Sequence, residues 1–248
     1  MLATGSKTLA GYRLSICSSA DGFSFSVCSM LDGSVVQTDL YPVSQPSKAG
    51  EVLQRALQKS YLMDYRFQAV ELIHDTPSTT VPLEHFSKSD MLAFYRLCFP
   101  RQQASLSDMQ YCILSSLEVV VIFRLDRNIL RIVQARYPDV KVCCSEAQQL
   151  EDFAAMQERR PVPADSQQRD AYVRFGEKQF FVAVFSRGTL LYAGSQAADN
   201  DSDRTFLLLG IWKALDMHAT RDVCHIQGAS VELQETIGEY LLNIVGHG

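Results

Sequence analysis

The chain is poor in the features that announce a function. It has one Trp, five His and no CxxC pair. The seven Cys are an odd number scattered through apolar or strand-like stretches, a pattern that excludes a disulfide framework or a zinc ribbon and fits reduced, buried thiols. Cys143 and Cys144 are neighbours, so in a strand they point to opposite sides and do not share a metal. No apolar run approaches the roughly 20 residues of a membrane-spanning helix; the longest are 119–123 and 206–212. The first eleven residues lack the apolar segment of a signal peptide, so a cytoplasmic protein without membrane insertion is expected. There is no excess of basic charge either. A formal net charge of -5 with dispersed Lys and Arg gives no electrostatic footprint for nucleic acid.

What is present is a folded chain carrying one pattern twice. Apolar residues at 47% and charged residues at 21% exclude disorder, and 248 residues suffice for one large or two small domains. In the first block, Tyr12, Leu14 and Ile16 alternate with Arg13, Ser15 and Cys17, and Phe23, Phe25 and Val27 alternate with Ser24, Ser26 and Cys28. Turns at Ala20-Asp21-Gly22 and Leu31-Asp32-Gly33-Ser34 lead to a third strand, 35–39. The small Ser/Cys face suits a helix lying close against it. Ser47 is placed to cap an amphipathic helix over 47–60, and a strand over 67–74 follows. Further helices are expected near 88–98, 126–137 and 146–159, a hairpin over 110–124 and a short strand at 140–143. Residues 160–166, with two prolines among small and polar residues, read as a linker, giving lobes 1–160 and 161–248. Beyond it the pattern returns: strands near 171–175, 180–185 and 189–193, a largely apolar helix over 203–217 expected to be buried, a strand at 222–226 and a closing helix over 231–244. The middle strand is apolar on both faces and is expected inside its sheet.

Two lobes that each open with a three-stranded antiparallel meander, then a helix and a further strand, resemble the α/β actin-like ATPase fold of actin, Hsp70 chaperones and sugar kinases, itself related to ribonuclease H-like folds. Tyr12-Arg13-Leu14-Ser15-Ile16 followed by Asp21-Gly22-Phe23-Ser24-Phe25 looks most like an uncharacterised bacterial family with this fold, the domain-of-unknown-function 3822 family. The resemblance implies three nucleotide-contacting places. The first is a turn with a metal-positioning Asp and phosphate-cradling amides; here it is Cys17-Ser18-Ser19-Ala20-Asp21-Gly22, with Cys17 where the Asp is expected. The second is an Asp-x-Gly turn, matched by Arg174-Phe175-Gly176-Glu177-Lys178, where only Gly176 fits. The third is a Gly-Gly pair, matched by Gly228-Ala229. The candidate site is therefore a vestigial nucleotide or ligand cleft of Ser18, Ser19, Asp21, Gly22, Gly176, Lys178, Gly228 and Ser230. Each has an ordinary alternative: turn chemistry for Asp21-Gly22, a solvated side chain for Lys178, a helix N-cap for Ser230.

Phosphoryl transfer depends on charge neutralisation and alignment, so loss of both metal-positioning carboxylates argues against ATP hydrolysis. The expectation is a non-catalytic pseudoenzyme that binds a protein partner or a small ligand, with no catalytic residue, no metal and no cofactor. A divergent enzyme using magnesium and ATP, such as a small-molecule kinase, is the alternative. Asp199-Asn200-Asp201-Ser202-Asp203 lacks the Gly and Glu of a calcium loop and reads as a helix cap. His74 with Asp75 reads as a strand end, and His225 as a packed histidine without spaced partners.

Overall fold

In a computed structural model, residues 7–160 and 167–247 are described. The chain divides into two compact units, Met1–Ile113 with Val120–Ser145, and Leu114–Val119 with Glu146–Gly248.

The first unit is built on a sheet of β1 (Lys7–Ser19), β2 (Gly22–Ser29), β3 (Val35–Pro42), β4 (Tyr65–His74) and β8 (Lys141–Cys144), in the order β3-β2-β1-β4-β8. The meander is antiparallel, whereas β1-β4 and β4-β8 are parallel. Ile16 pairs with Phe25, Leu14 with Val27 and Phe25 with Asp39, so these side chains share one face. Helix α1 (Ala49–Lys59) ends at Ser60, whose hydroxyl donates to Asp39 Oδ2 at 3.3 Å. That contact sets the end of α1 on the apolar face, not on the Ser/Cys face expected from residue size. Burial of Leu14, Ile16 and Phe25 outweighs mere smallness, while Ser26 bonds Thr38 at 2.9 Å in the open. Ser47 does not cap α1. It sits inside a 3₁₀ turn, Pro46–Lys48, with Lys48 at the cap position.

Between β4 and β8 lies a smaller module: β5 (Ser78–Pro82), α2 (Met91–Cys98), β6 (Met109–Leu114) and β7 (Val119–Arg124), with sheet order β5-β7-β6. Val81, Met91, Tyr95, Met109, Val120 and Ile122 form its core. Helix α3 (Arg127–Arg136), capped by the Asp126 carboxylate accepting from Asn128 N, leads into β8.

The second unit repeats the arrangement. Its sheet runs β11-β10-β9-β12-β13, with β9 (Arg169–Phe175), β10 (Gln179–Ser186), β11 (Thr189–Ala197), β12 (Val223–Gln227) and β13 (Ile244–His247). The pairing directions match those of the first sheet strand for strand. Helices α5 (Asp201–Ala214) and α6 (Val231–Gly238) supply Leu208, Trp212, Leu233 and Ile237 to the core made with Val173, Val182 and Val184.

Three features differ from expectation. The closing helix stops at Gly238, and Ile244–His247 forms β13 along the free parallel edge of β12 instead. Helix α5 packs through one side only: Phe206 is 75% exposed, and Thr205, Leu208 and Trp212 are its buried residues. Finally, the compact units do not part at a single boundary at residue 160: Leu114–Val119 and the segment from Glu146 onward belong to the second. All but the first residue of α4 (Ser145–Glu158) falls in the second unit, because Phe153 stacks on Tyr172 and Phe181 and Gln157 accepts from the Tyr172 hydroxyl.

Candidate functional site

The residues singled out in the sequence fall into two groups, one in each unit. In the first, β1 and β2 are joined by the tight turn Ser19-Ala20-Asp21-Gly22. The Ser19 hydroxyl accepts from Asp21 N at 3.3 Å, and the Asp21 carbonyl accepts from Val43 N at 2.8 Å. Gly22 has φ +144°, and a Cβ there would lie 2.3 Å from the Tyr41 carbonyl oxygen, so the turn demands glycine. Cys17 is half-buried, with Sγ 3.9 Å from Ser15 Oγ; burial pushes its thiol pKa up despite hydrogen bonds from Ser15 and Ser24. A neutral thiol occupies the position where the resemblance calls for a carboxylate.

Ser18 lies on the same side as Leu14 and Ile16, 1% exposed, and its hydroxyl has no partner among the described residues. Beside it on β4 is His74, and the Ser18 carbonyl accepts from Asp75 N at 2.8 Å. Ser145, just past β8, donates to Asp75 Oδ1 at 2.8 Å. Ser18, His74, Asp75 and Ser145 thus meet at the C-terminal ends of three parallel strands, where open α/β sheets bind ligands. Sequence reasoning kept them apart; the only signal was a His-Asp pair directly after a strand. Burial holds the His74 pKa below the usual imidazole range, against a hydrogen bond to the Ser18 backbone and the charges of Asp75 and Asp126.

In the second unit Gly176 N donates to Gln179 O at 2.8 Å, closing the β9-β10 turn. The Arg204 guanidinium donates to the Gly176 and Glu177 carbonyls at 2.8 and 2.7 Å and pairs with Asp201. Lys178 is exposed. Arg174, where an acid is expected by resemblance, donates to Gln227 Oε1 at 2.9 Å, pairs with Asp152 at 3.4 Å and lies over the Phe153 ring. Gly228 has φ +72°, and a Cβ there would come within 2.5 Å of the Phe175 carbonyl, so glycine lets the loop after β12 cross the end of β9. Ser230 Oγ accepts from Leu233 N at 3.1 Å and caps α6.

One polar cluster was not foreseen. On the face of the second sheet that carries Tyr172, Asp170 is 1% exposed and ion-paired to Arg160, while Gln157 Nε2 donates to its other oxygen at 3.3 Å. His225 stacks on Tyr172 with ring centres 4.3 Å apart, as befits a packed histidine, but it does have partners. Arg160 Nη1 lies 2.7 Å from His225 Nε2, Asp170 Oδ1 3.4 Å from the same nitrogen, and His247 Nε2 3.1 Å from His225 Nδ1. Arginine only donates, so the shorter contact makes Nε2 the acceptor and places the His225 proton on Nδ1, facing His247. Among the described residues no group of three or more His, Cys, Asp or Glu is arranged to hold a metal ion.

Burial and the neighbouring His225 lower the His247 pKa, and burial lowers that of His74. In the unfolded chain these imidazoles take up protons from about pH 6.5 downward, whereas the folded chain resists protonation. Stability is therefore full above that pH and falls below it. The melting temperature should drop between pH 7.5 and pH 5.5, and His247→Asn should flatten part of the drop; an unchanged or rising melting temperature would contradict both assignments.

The repeated strand order, with its meander and parallel continuation in each unit, defines an actin-like ATPase fold. A crystal structure of a Bacteroides thetaiotaomicron protein with actin-like ATPase fold and unknown function superposes with a TM-score of 0.78 at 23% identity, covering 100% of this chain and 94% of that one. The PilM-PilN type IV pilus biogenesis complex matches with a TM-score of 0.52 at 9% identity, covering 95% of this chain and 88% of that one. The chain belongs to the family described as Protein of unknown function (DUF3822), which it matches over residues 4–243. No curated protein matches it. No helix among the described residues is long and apolar enough to cross a membrane.

Proposed function

We propose that the protein is a non-catalytic member of the actin-like fold that works by binding a protein partner. The observation that carries this is the chemistry at the two turns. A protonated thiol at Cys17 and a guanidinium at Arg174 occupy the places where phosphoryl transfer needs metal-positioning carboxylates. The Gly176 and Glu177 carbonyls are already occupied by Arg204.

Two further features support binding. The PilM-PilN complex is an instance of a similar fold engaged with another protein. In this chain the edge strand β3 and the turn before it expose Leu31 at 95%, Leu40 at 75% and Val36 at 63%. Proteins normally blunt or cover an edge of this kind, so an apolar edge left open suits a partner that adds to the sheet. With magnesium and ATP, the purified protein should release phosphate no faster than the buffer does. Turnover at an ordinary enzyme rate, abolished by Asp21→Ala, would overturn the proposal in favour of a divergent ATP-dependent enzyme.

A further inference from the structure

Helix α5 is largely apolar around its circumference but is covered on one side only. Thr205, Leu208 and Trp212 are buried, while Phe206 is 75% exposed and Gly210 and Ala214, one and two turns on, are exposed as well. Leu207 and Ile211 flank them, half-buried. With Tyr192 of β11 these residues line an open cavity of about 350 Å³ beside the helix. A surface helix ordinarily turns a polar stripe outward, so an apolar one suits a second covering surface.

Gly210 is an independent sign of close approach. Its φ lies outside the left-handed region, and a Cβ there would meet nothing within 4 Å, so neither the backbone nor a neighbour calls for glycine. Glycine in a helix interior costs stability against every ordinary residue except proline. Its use where the fold leaves room fits contact from outside the chain.

The charges on the same face indicate what makes that contact. Asp203, Phe206, Gly210 and Lys213 recur at intervals of three, four and three residues, which places them on one stripe, and all four are exposed. The stripe is complementary to its own reversal. About the level of Leu208, Phe206 and Gly210 stand two residues to either side, and Asp203 and Lys213 five. Two copies of α5 packed antiparallel about a two-fold axis at that level set each Phe206 over the other copy's Gly210 and each Asp203 against the other copy's Lys213. Among the described residues Lys213 makes no ion pair, and Asp203 uses one carboxylate oxygen to accept from Asn200 Nδ2 at 2.8 Å. Both charges also suit the dipole of their own helix end, which accounts for their signs but not for their sharing a stripe with Phe206 and Gly210.

We infer that α5 is a self-association surface, through which two copies of this chain form an antiparallel two-fold dimer with each Phe206 seated in the other's cavity at Gly210. A two-fold interface needs one self-complementary patch, and here the anchor, the hollow and both charges lie on a single helix. The surface belongs to the second unit and shares no residue with the edge strand β3, so its test does not depend on the function proposed above.

Sedimentation equilibrium of the full chain should show a monomer–dimer equilibrium at micromolar concentrations. Phe206→Ala should weaken it about thirtyfold, the loss typical of an anchoring aromatic, without lowering the melting temperature of the dilute monomer, where the ring is exposed. Gly210→Gln should weaken it about tenfold, as overpacking a close contact does, yet raise the dilute melting temperature because glutamine is the better helix former. Asp203→Lys should weaken it several-fold, and Lys213→Asp added to the same chain should restore it, since the exchange rebuilds both pairs between antiparallel copies. A chain that stays monomeric at every concentration, whether or not another protein covers this face, would overturn the assignment. So would a dimer indifferent to Phe206→Ala or Gly210→Gln, or a charge exchange that fails to restore association.

Discussion

Replacing Asp170 with alanine should destabilise the second unit by about 3 kcal/mol, the low end of what breaking a buried ion pair costs. Asp170 is almost completely buried, whereas the Arg160 side chain is 33% exposed, so the guanidinium recovers part of its hydration and the loss stays at that low end. The substitution also strips Gln157 Nε2 of its acceptor and takes a carboxylate from beside His225. Unfolding in urea followed by Trp212 fluorescence isolates the effect, because Trp212 is the only Trp in the chain and is buried in the second unit's core. Asp170→Asn, which keeps the shape and an acceptor oxygen, should fall between alanine and the parent. A midpoint for the alanine variant within about 0.5 kcal/mol of the parent would show that the ion pair contributes nothing net, as surface substitutions do.

The architecture was legible where local pattern and tertiary environment agree. Alternation of Leu14 and Ile16 with Ser15 and Cys17, and the glycines at 22 and 33, mark the first meander without help from the rest of the chain. The doubly apolar run Phe180 to Phe185 marks the central strand of the second. Where the fold departs from the local pattern, a distant partner decides. The closing helix expected over 231–244 runs on to Ile244, where a strand begins that only the free edge of β12 makes legible. Helix α4 has the composition of any amphipathic segment, and only Tyr172 and Phe181 reveal which unit it completes. The apolar circumference of α5 suggested full burial, but a single sheet face covers only one side of a helix.

The candidate site was legible at its turns and hidden in its clusters. Gly22, Gly228 and Ser230 carry their reasons locally, in a positive φ or a cap, so residue type alone pointed to them. Two of the partners of His225 are Asp170, 55 positions away, and Arg160, 65 away, and no spacing rule links such residues. Ser18, His74 and Ser145 likewise meet only because β1, β4 and β8 end together.

Gly22→Ala should lower the stability of the first unit by about 3 kcal/mol, the upper range for forcing a side chain into a sparsely populated backbone region. At φ +144° alanine is strained before any contact is considered. Its Cβ would then meet the Tyr41 carbonyl oxygen at 2.3 Å, Pro42 Cα at 2.9 Å and Val43 N at 3.0 Å. All three are backbone atoms of β3 and the residue after it, so no rotamer change relieves them. The strand must shift, and with it the Val43 N to Asp21 O hydrogen bond and the pairing of Phe23 with Tyr41. Gly33→Ala is the matching control: its φ is also positive, at +74°, but nothing lies within 4 Å of the added Cβ, so it should lose only about 1 kcal/mol. Far-ultraviolet circular dichroism through a urea titration measures both. Equal losses in the two variants would mean that backbone conformation alone matters at Gly22, and that the close approach of β3 does not.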